Sequence, residues 1–258
     1  MPVGFECYDQ NGKLQFNDSM FCYFLRKTGS GTTGSANVGN TDPSSIQISA
    51  SGYTNPIIAI QCSATVAFYG LFGGNYWWAC SGGVGTAFNY FVYDRSSAIP
   101  ASNFGVEVVD ASGVITFSSN YRPMQVVSFL DNMNYSSWMN PGSSQSVTFG
   151  GKSLAVAQGE TGGHRYAGPM DYYLGGMQVL DPYDPSGYDS TGYQNDAKLY
   201  GGVISNSNQT ATTGYVGFDD VYIGGAYSGI NNPPPDWQRQ LKLFVVDVTG
   251  VPIGTTFF

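Results

Sequence analysis

GFECYDQNGKLQF at residues 4–16 and GVEVVDASGVITF at residues 105–117 are the two stretches on which the fold is read. They align without a gap, so that Gly4, Glu6, Asp9, Gly12 and Phe16 fall on Gly105, Glu107, Asp110, Gly113 and Phe117. Phe5 and Cys7, like Val106 and Val108, lie on one face of an extended strand, with the Glu between them on the other. Asp-x-x-Gly then makes a tight turn. The Asp side chain accepts from backbone N–H groups ahead of it, and Gly supplies positive φ without steric cost. A second strand returns through residues 14–16 or 115–117. Each stretch is therefore predicted to be a β-hairpin, turned at Asp9 and Gly12 in the first and at Asp110 and Gly113 in the second.

A second pair of segments lies further along. FNYFVYD at residues 88–94 and LKLFVVD at 241–247 share Phe-Val-x-Asp and a strand-like alternation, and each is followed by a proline, Pro100 or Pro252. The pattern predicts two related domains of one fold, residues 1–101 and 102–258, each opened by the hairpin and closed by the Phe-Val-x-Asp strand. The hairpins are offset by 101 residues and the closing strands by 153, which places some 52 extra residues in the second copy. Residues 165–235, dense in Tyr, Asp, Gly and Pro, are the expected insertion.

Composition points the same way. Only 11% of the 258 residues are charged, against roughly 25% in ordinary soluble domains. Good helix formers are scarce, while Tyr, Phe, Val and Thr punctuated by 35 Gly favour strands joined by turns. An all-β fold of two β-sandwich-like domains is expected. The net charge of −8 repels phosphate and argues against nucleic acid as a partner. Apolar runs such as 57–60 and 64–72 fall well short of the about 20 residues of a spanning helix, so no membrane insertion is expected. The opening MPVGFECYDQNGK has neither the charged nor the apolar region of a secretory leader. Cys7, Cys22, Cys62 and Cys80 show no C-x-x-C spacing and read as buried free thiols, with one or two disulfides open to a protein that matures outside the cytoplasm.

Catalytic constellations are thin. His164, in the Gly-rich stretch ETGGHRYAG, is the only histidine, and its setting reads as a turn without a nucleophile at a known spacing. Asp219 and Asp220, or Asp181, Asp184, Asp189 and Asp196, offer carboxylates for two-acid glycan hydrolysis. Most of the latter sit in turn contexts such as DPYDPSGYD, where Asp serves backbone bonding, and their spacing departs from a calcium loop. No enzyme activity, cofactor or metal is expected. The candidate contact residues for a glycan or a partner are aromatic: Tyr172, Tyr173, Tyr183, Tyr188, Tyr193 and Trp237, with Tyr200 in the same cluster. Of Trp77 and Trp78, one should point inward and the other outward.

GVEVVDASGVITFSSNYRPMQVV resembles an opening pattern recurrent in small structural proteins of bacteriophage tails: Gly, apolar positions, Asp-x-x-Gly, an apolar-x-Phe strand, a Ser-rich turn and then Arg-Pro. Gly105, Asp110, Gly113, Phe117, Ser119, Arg122 and Pro123 match it. The first copy keeps Gly4, Asp9, Gly12, Phe16 and Ser19 but has Phe21 and Cys22 where Arg-Pro would stand. The resemblance implies a virion location and a tail-tip, baseplate or tail-fibre role. It also implies assembly with other tail proteins, as a homo-oligomer such as a trimer or a ring of tail symmetry. A lectin-like module recognising a host-surface glycan, a capsid decoration protein and a virion-borne glycan hydrolase are the competing readings.

Overall fold

The computed structural model describes residues 6–8, 10, 14–17, 22–35, 44–95, 100, 105–130, 144–160, 162–169, 173–174, 177–178, 192–223, 237–239 and 241–257. Among these the chain is all-β, with antiparallel pairing throughout and no helix. Strands of the first part are β1 (Glu6–Tyr8), β2 (Leu14–Asn17), β3 (Tyr23–Thr32), β4 (Gly34–Ser35), β5 (Ser44–Ser49), β6 (Ile57–Cys62), β7 (Val66–Phe72), β8 (Asn75–Cys80) and β9 (Ala87–Arg95). There follow β10 (Glu107–Val109), β11 (Ile115–Ser118), β12 (Val126–Leu130), β13 (Ser146–Thr148), β14 (Leu154–Glu160) and β15 (Gly162–Pro169). The last are β16 (Tyr173–Leu174), β17 (Met177–Gln178), β18 (Gly192–Ser205), β19 (Thr210–Ile223), β20 (Trp237–Arg239) and β21 (Lys242–Asp247).

Both predicted hairpins form, and in one register. Glu6 faces Asn17, Cys7 faces Phe16 and Tyr8 faces Leu14, with an irregularity between Cys7 and Tyr8. Glu107 faces Ser118, Val108 faces Phe117 and Val109 faces Ile115, with the irregularity between Val108 and Val109. In the second hairpin Asp110 Oδ1 accepts from Ser112 N at 2.8 Å and Val114 N at 2.9 Å, and Gly113 turns the chain at φ +79°. Asp9 and Gly12 lie outside the described residues.

β16 and β17 pair only with each other, and two larger sheets carry the rest. One has six strands in the order β12-β21-β14-β6-β9-β3. The other runs β13-β19-β18-β7-β8-β5-β4, with β15 and β20 attached beyond β18. Residues on both sides of position 101/102 thus contribute to each sheet. The seam between them is a direct strand pairing. In the six-stranded sheet Ala59 faces Ala157 and Ile60 faces Val156; in the other, Gly202 faces Val66. Gln61 reinforces the first seam by donating to Leu154 O at 2.8 Å and Ser153 Oγ at 3.0 Å. Gly201 is required at the second, because a Cβ there would stand 1.8 Å from the Val66 carbonyl oxygen.

Alternation along the strands sorts the core. Ile58, Ile60, Val92, Leu154, Val156, Leu243 and Val245 of the six-stranded sheet share one buried cluster with Ile46, Val66, Trp78 and Ile204 of the other. Trp78 is buried and Trp77, its neighbour on the opposite face, half-buried. The alternate residues Ala59, Phe91, Tyr93, Ala155, Ala157 and Val246 form a second cluster on the far face, with Leu25 and Val248. The chain's last residues run along β3, where Thr28 N donates to Thr255 O at 2.8 Å and Phe257 N to Arg26 O at 2.9 Å.

Candidate functional site

Among the described residues an aromatic cleft of about 350 Å³ lies where β6, β7, β8, β14 and β21 come together. Tyr76 and Trp78 fall on one face of β8 by strand alternation, and an irregularity between Phe68 and Gly70 sets Phe68 opposite Trp78. The Phe68 and Trp78 rings lie 5.4 Å apart at 59°, and Tyr76 is 6.3 Å from Phe68 and 6.4 Å from Trp78. Gln158, from the other sheet, fixes the floor by accepting from Phe68 N at 2.7 Å. Asn55 and Phe244 complete the rim. Tyr76 is the single titratable side chain in the lining, and burial, then the Asp94 charge, push its hydroxyl above the ordinary value. Among the described lining residues, therefore, none changes protonation near neutral pH. The cleft's described lining offers aromatic rings and the side-chain amides of Asn55 and Gln158.

The two Phe-Val-x-Asp carboxylates are anchors for turns. Asp94 is fully buried and accepts from Thr54 N at 2.9 Å, Asn55 N at 3.1 Å and Arg95 N at 2.9 Å, with Arg26 Nη1 at 3.7 Å. Asp247 accepts from Thr249 N at 3.0 Å and Thr249 Oγ1 at 2.6 Å and pairs with Lys152 Nζ. Burial pushes the Asp247 carboxyl up, but the Lys152 and Thr249 donors outweigh it and hold the group below the usual carboxylate value. Each carboxylate joins a local donor, Arg95 N or Thr249, to partners distant in sequence, Thr54, Asn55 and Arg26 or Lys152. Among the described residues no three His, Cys, Asp or Glu side chains gather as a metal site.

Arg122 and Pro123 also have a local role. The Arg122 guanidinium donates to Thr249 O at 2.6 Å, Leu25 N donates to Arg122 O at 2.9 Å, and Pro123 bridges to Phe24. These contacts dock the second hairpin's exit against the start of β3 and the turn that follows β21. Phe24 is fully buried there, 6.3 Å from the Phe117 ring and 6.1 Å from Tyr121.

Tyr172, Tyr183 and Tyr188 lie outside the described residues, as do Asp181, Asp184 and Asp189. Tyr173 is in the two-residue strand β16, opposite Gln178. Tyr193 on β18 faces Pro169 and Tyr222, and Trp237 on β20 faces Arg165. The backbone thus places the Tyr193 and Trp237 strands on either side of β15. Asp196 faces Asp219, and Asp220 faces Asn195. His164 corrects an expectation: it sits within strand β15, facing Lys198 on one side and Gln238 on the other, not in a turn. Ladder pairing on both edges satisfies this Gly-rich backbone in extended form. The cleft residues Phe68, Tyr76 and Gln158 went unread in the sequence; the signal was the alternation through NYWWAC, which puts Tyr76 on the same face as Trp78.

No protein-family model matches this chain, and no curated protein or solved structure matches it.

Proposed function

We propose that the chain is a structural protein of a tailed-bacteriophage virion, at the tail tip, baseplate or tail fibre, built from two copies of one β-sandwich-like unit. The observation that carries this reading is the agreement of the two hairpins in register and irregularity at an offset of 101 residues. It extends into the next strand: β3 shifts register against β9 between Leu25 and Lys27, and β12 shifts against β21 between Val126 and Ser128, again 101 residues on. Strand order supports the same reading, because β3-β9-β6 and β12-β21-β14 are mirrored about the Ala59–Ala157 pairing, as are β5-β8-β7 and β13-β19-β18 about Gly202–Val66. Ala59 faces Phe91 in one copy and Ala157 faces Phe244 in the other. The second copy's extra residues then fall between β14 and β18 and between β19 and β21.

In this reading the molecule is scaffold, joined to other tail proteins as an oligomer. Exposed apolar side chains such as Phe129, at 63%, and Val126, at 39%, are surface for such a neighbour to cover. Immunogold labelling of intact phage particles with an antibody to this chain tests it. Gold on the tail is expected; label on the capsid alone, or particles without label, overturns the assignment.

The aromatic cleft favours a second reading, a lectin-like module that takes an uncharged host-surface sugar against the half-buried Phe68 and Tyr76, which pack on the buried Trp78. A glycan array read with wild type and Tyr76→Ala decides it: specific binding lost in the variant supports the module, and an empty array removes it.

A further inference from the structure

We propose that Cys62 and Cys80 form a redox pair, whose oxidation to a disulfide fastens the two large sheets to each other. Cys62 is the last residue of β6 and Cys80 the last of β8, so the two thiols come from different sheets. Both belong to the buried cluster that the sheets share, at 3% and 0% exposure. Each thiol is the largest single influence on the other's protonation, as expected of neighbouring side chains in one cluster. The turns that follow the two strands hold the ends together: Ser81 N donates to Thr65 O at 2.9 Å, and Thr65 N donates to Ser81 Oγ at 3.0 Å. A Cβ on Gly82 would stand only 3.0 Å from the Cβ of Ala64, so the backbones approach closely beside the pair. A disulfide requires such an approach, since its Cα atoms sit about 4.4–6.8 Å apart.

The two thiols are unlike. Cys62 is held in place by donating to Ala87 O at 3.7 Å and accepting from Ala64 N at 3.5 Å. The neighbouring Cys80 side chain, ahead of burial, pushes the Cys62 thiol up, while the Cys62 side chain and then the backbone at Gly82 draw the Cys80 thiol down against burial. Attack by Cys80 with Cys62 resolving, or the reverse, gives the same disulfide. In the first order, with hydrogen peroxide as oxidant, the Cys80 thiolate attacks one peroxide oxygen, the O–O bond breaks and hydroxide leaves, giving the sulfenic acid. The Cys62 sulfur then attacks the Cys80 sulfur. The S–O bond breaks, and water leaves carrying the Cys62 proton. Two thiols have lost two hydrogens, and one peroxide has become two waters once the hydroxide is protonated. The pair stays reduced in a cytoplasm and closes in an oxidising medium, whatever the chain's role there.

The test treats the intact folded chain with hydrogen peroxide, alkylates remaining thiols in denaturant without reductant, and digests with chymotrypsin, which cuts at the aromatic residues between the two. A Cys62 peptide joined to a Cys80 peptide, lighter by two hydrogens than their sum, is expected in wild type and in Cys22→Ser. It is absent from Cys80→Ser. The oxidised chain should also unfold at a higher urea midpoint than the reduced one. Alkyl label on both Cys62 and Cys80 after treatment, a link from either to Cys7 or Cys22, or an unchanged midpoint overturns the proposal.

Discussion

Replacing Asp94 with alanine removes a carboxylate on which a turn, a strand end and a cation all depend. Its two oxygens accept from the backbone of Thr54, Asn55 and Arg95 and lie 3.7 Å from Arg26 Nη1, in a site that excludes water from the carboxylate itself. Deleting one partner of a buried ion pair costs about 3–5 kcal/mol, chiefly because the other charge stays behind. Arg26 is 15% exposed and keeps some hydration, which sets the expectation for Asp94→Ala at about 3–4 kcal/mol. Asp247→Ala makes the internal comparison. Its partner Lys152 is 39% exposed and can turn to solvent, so about 1–2 kcal/mol is expected. In a chain of this size each kcal/mol lowers Tm by about 2–4 °C, so Asp94→Ala should melt roughly 6–16 °C below wild type. Urea unfolding followed by tryptophan fluorescence reads both variants, with equal slopes required for the comparison. If Asp94→Ala costs under about 1 kcal/mol, or less than Asp247→Ala, the carboxylate does not anchor the turn at residues 51–55 and the reasoning fails.

Three further outcomes are expected. Asp247 has a depressed value in the folded chain, so its contribution is full above the unfolded value, about 3.9, and is lost as pH falls through the folded one. Asp247→Asn should accordingly lie below wild type at neutral pH and converge with it in acid; stability curves that stay parallel would contradict this. Gly201→Ala forces a Cβ against the Val66 carbonyl and cannot be accommodated without moving backbone at the seam, so about 3 kcal/mol or more is expected in the same denaturation assay. Asp110→Ala frees the N–H groups of Ser112 and Val114 in a partly exposed turn, and a loss of about 1 kcal/mol should appear by thermal melt, with a null effect refuting the turn's role.

What the sequence alone determined is local. Few charges, many Tyr, Phe, Val and Gly residues, and Asp-x-x-Gly between alternating segments are sufficient for an all-β chain with hairpins at 6–17 and 107–118, because strand alternation and turn chemistry act over a few neighbouring residues. The same alternation through FVYD and FVVD already separates Val92 and Val245 from Phe91 and Phe244. Only the tertiary structure decided which strands meet. Period-2 patterning records that Ala59 and Ala157 share a face, yet nothing near either residue specifies that they pair, so the seam between β6 and β14 was unreadable. His164 shows the reverse case: glycines that read locally as a turn are extended once β18 and β20 supply ladder partners. The aromatic cleft and the Cys62–Cys80 pair likewise exist only because two sheets bring together residues from separate strands, a long-range packing result that local sequence does not encode.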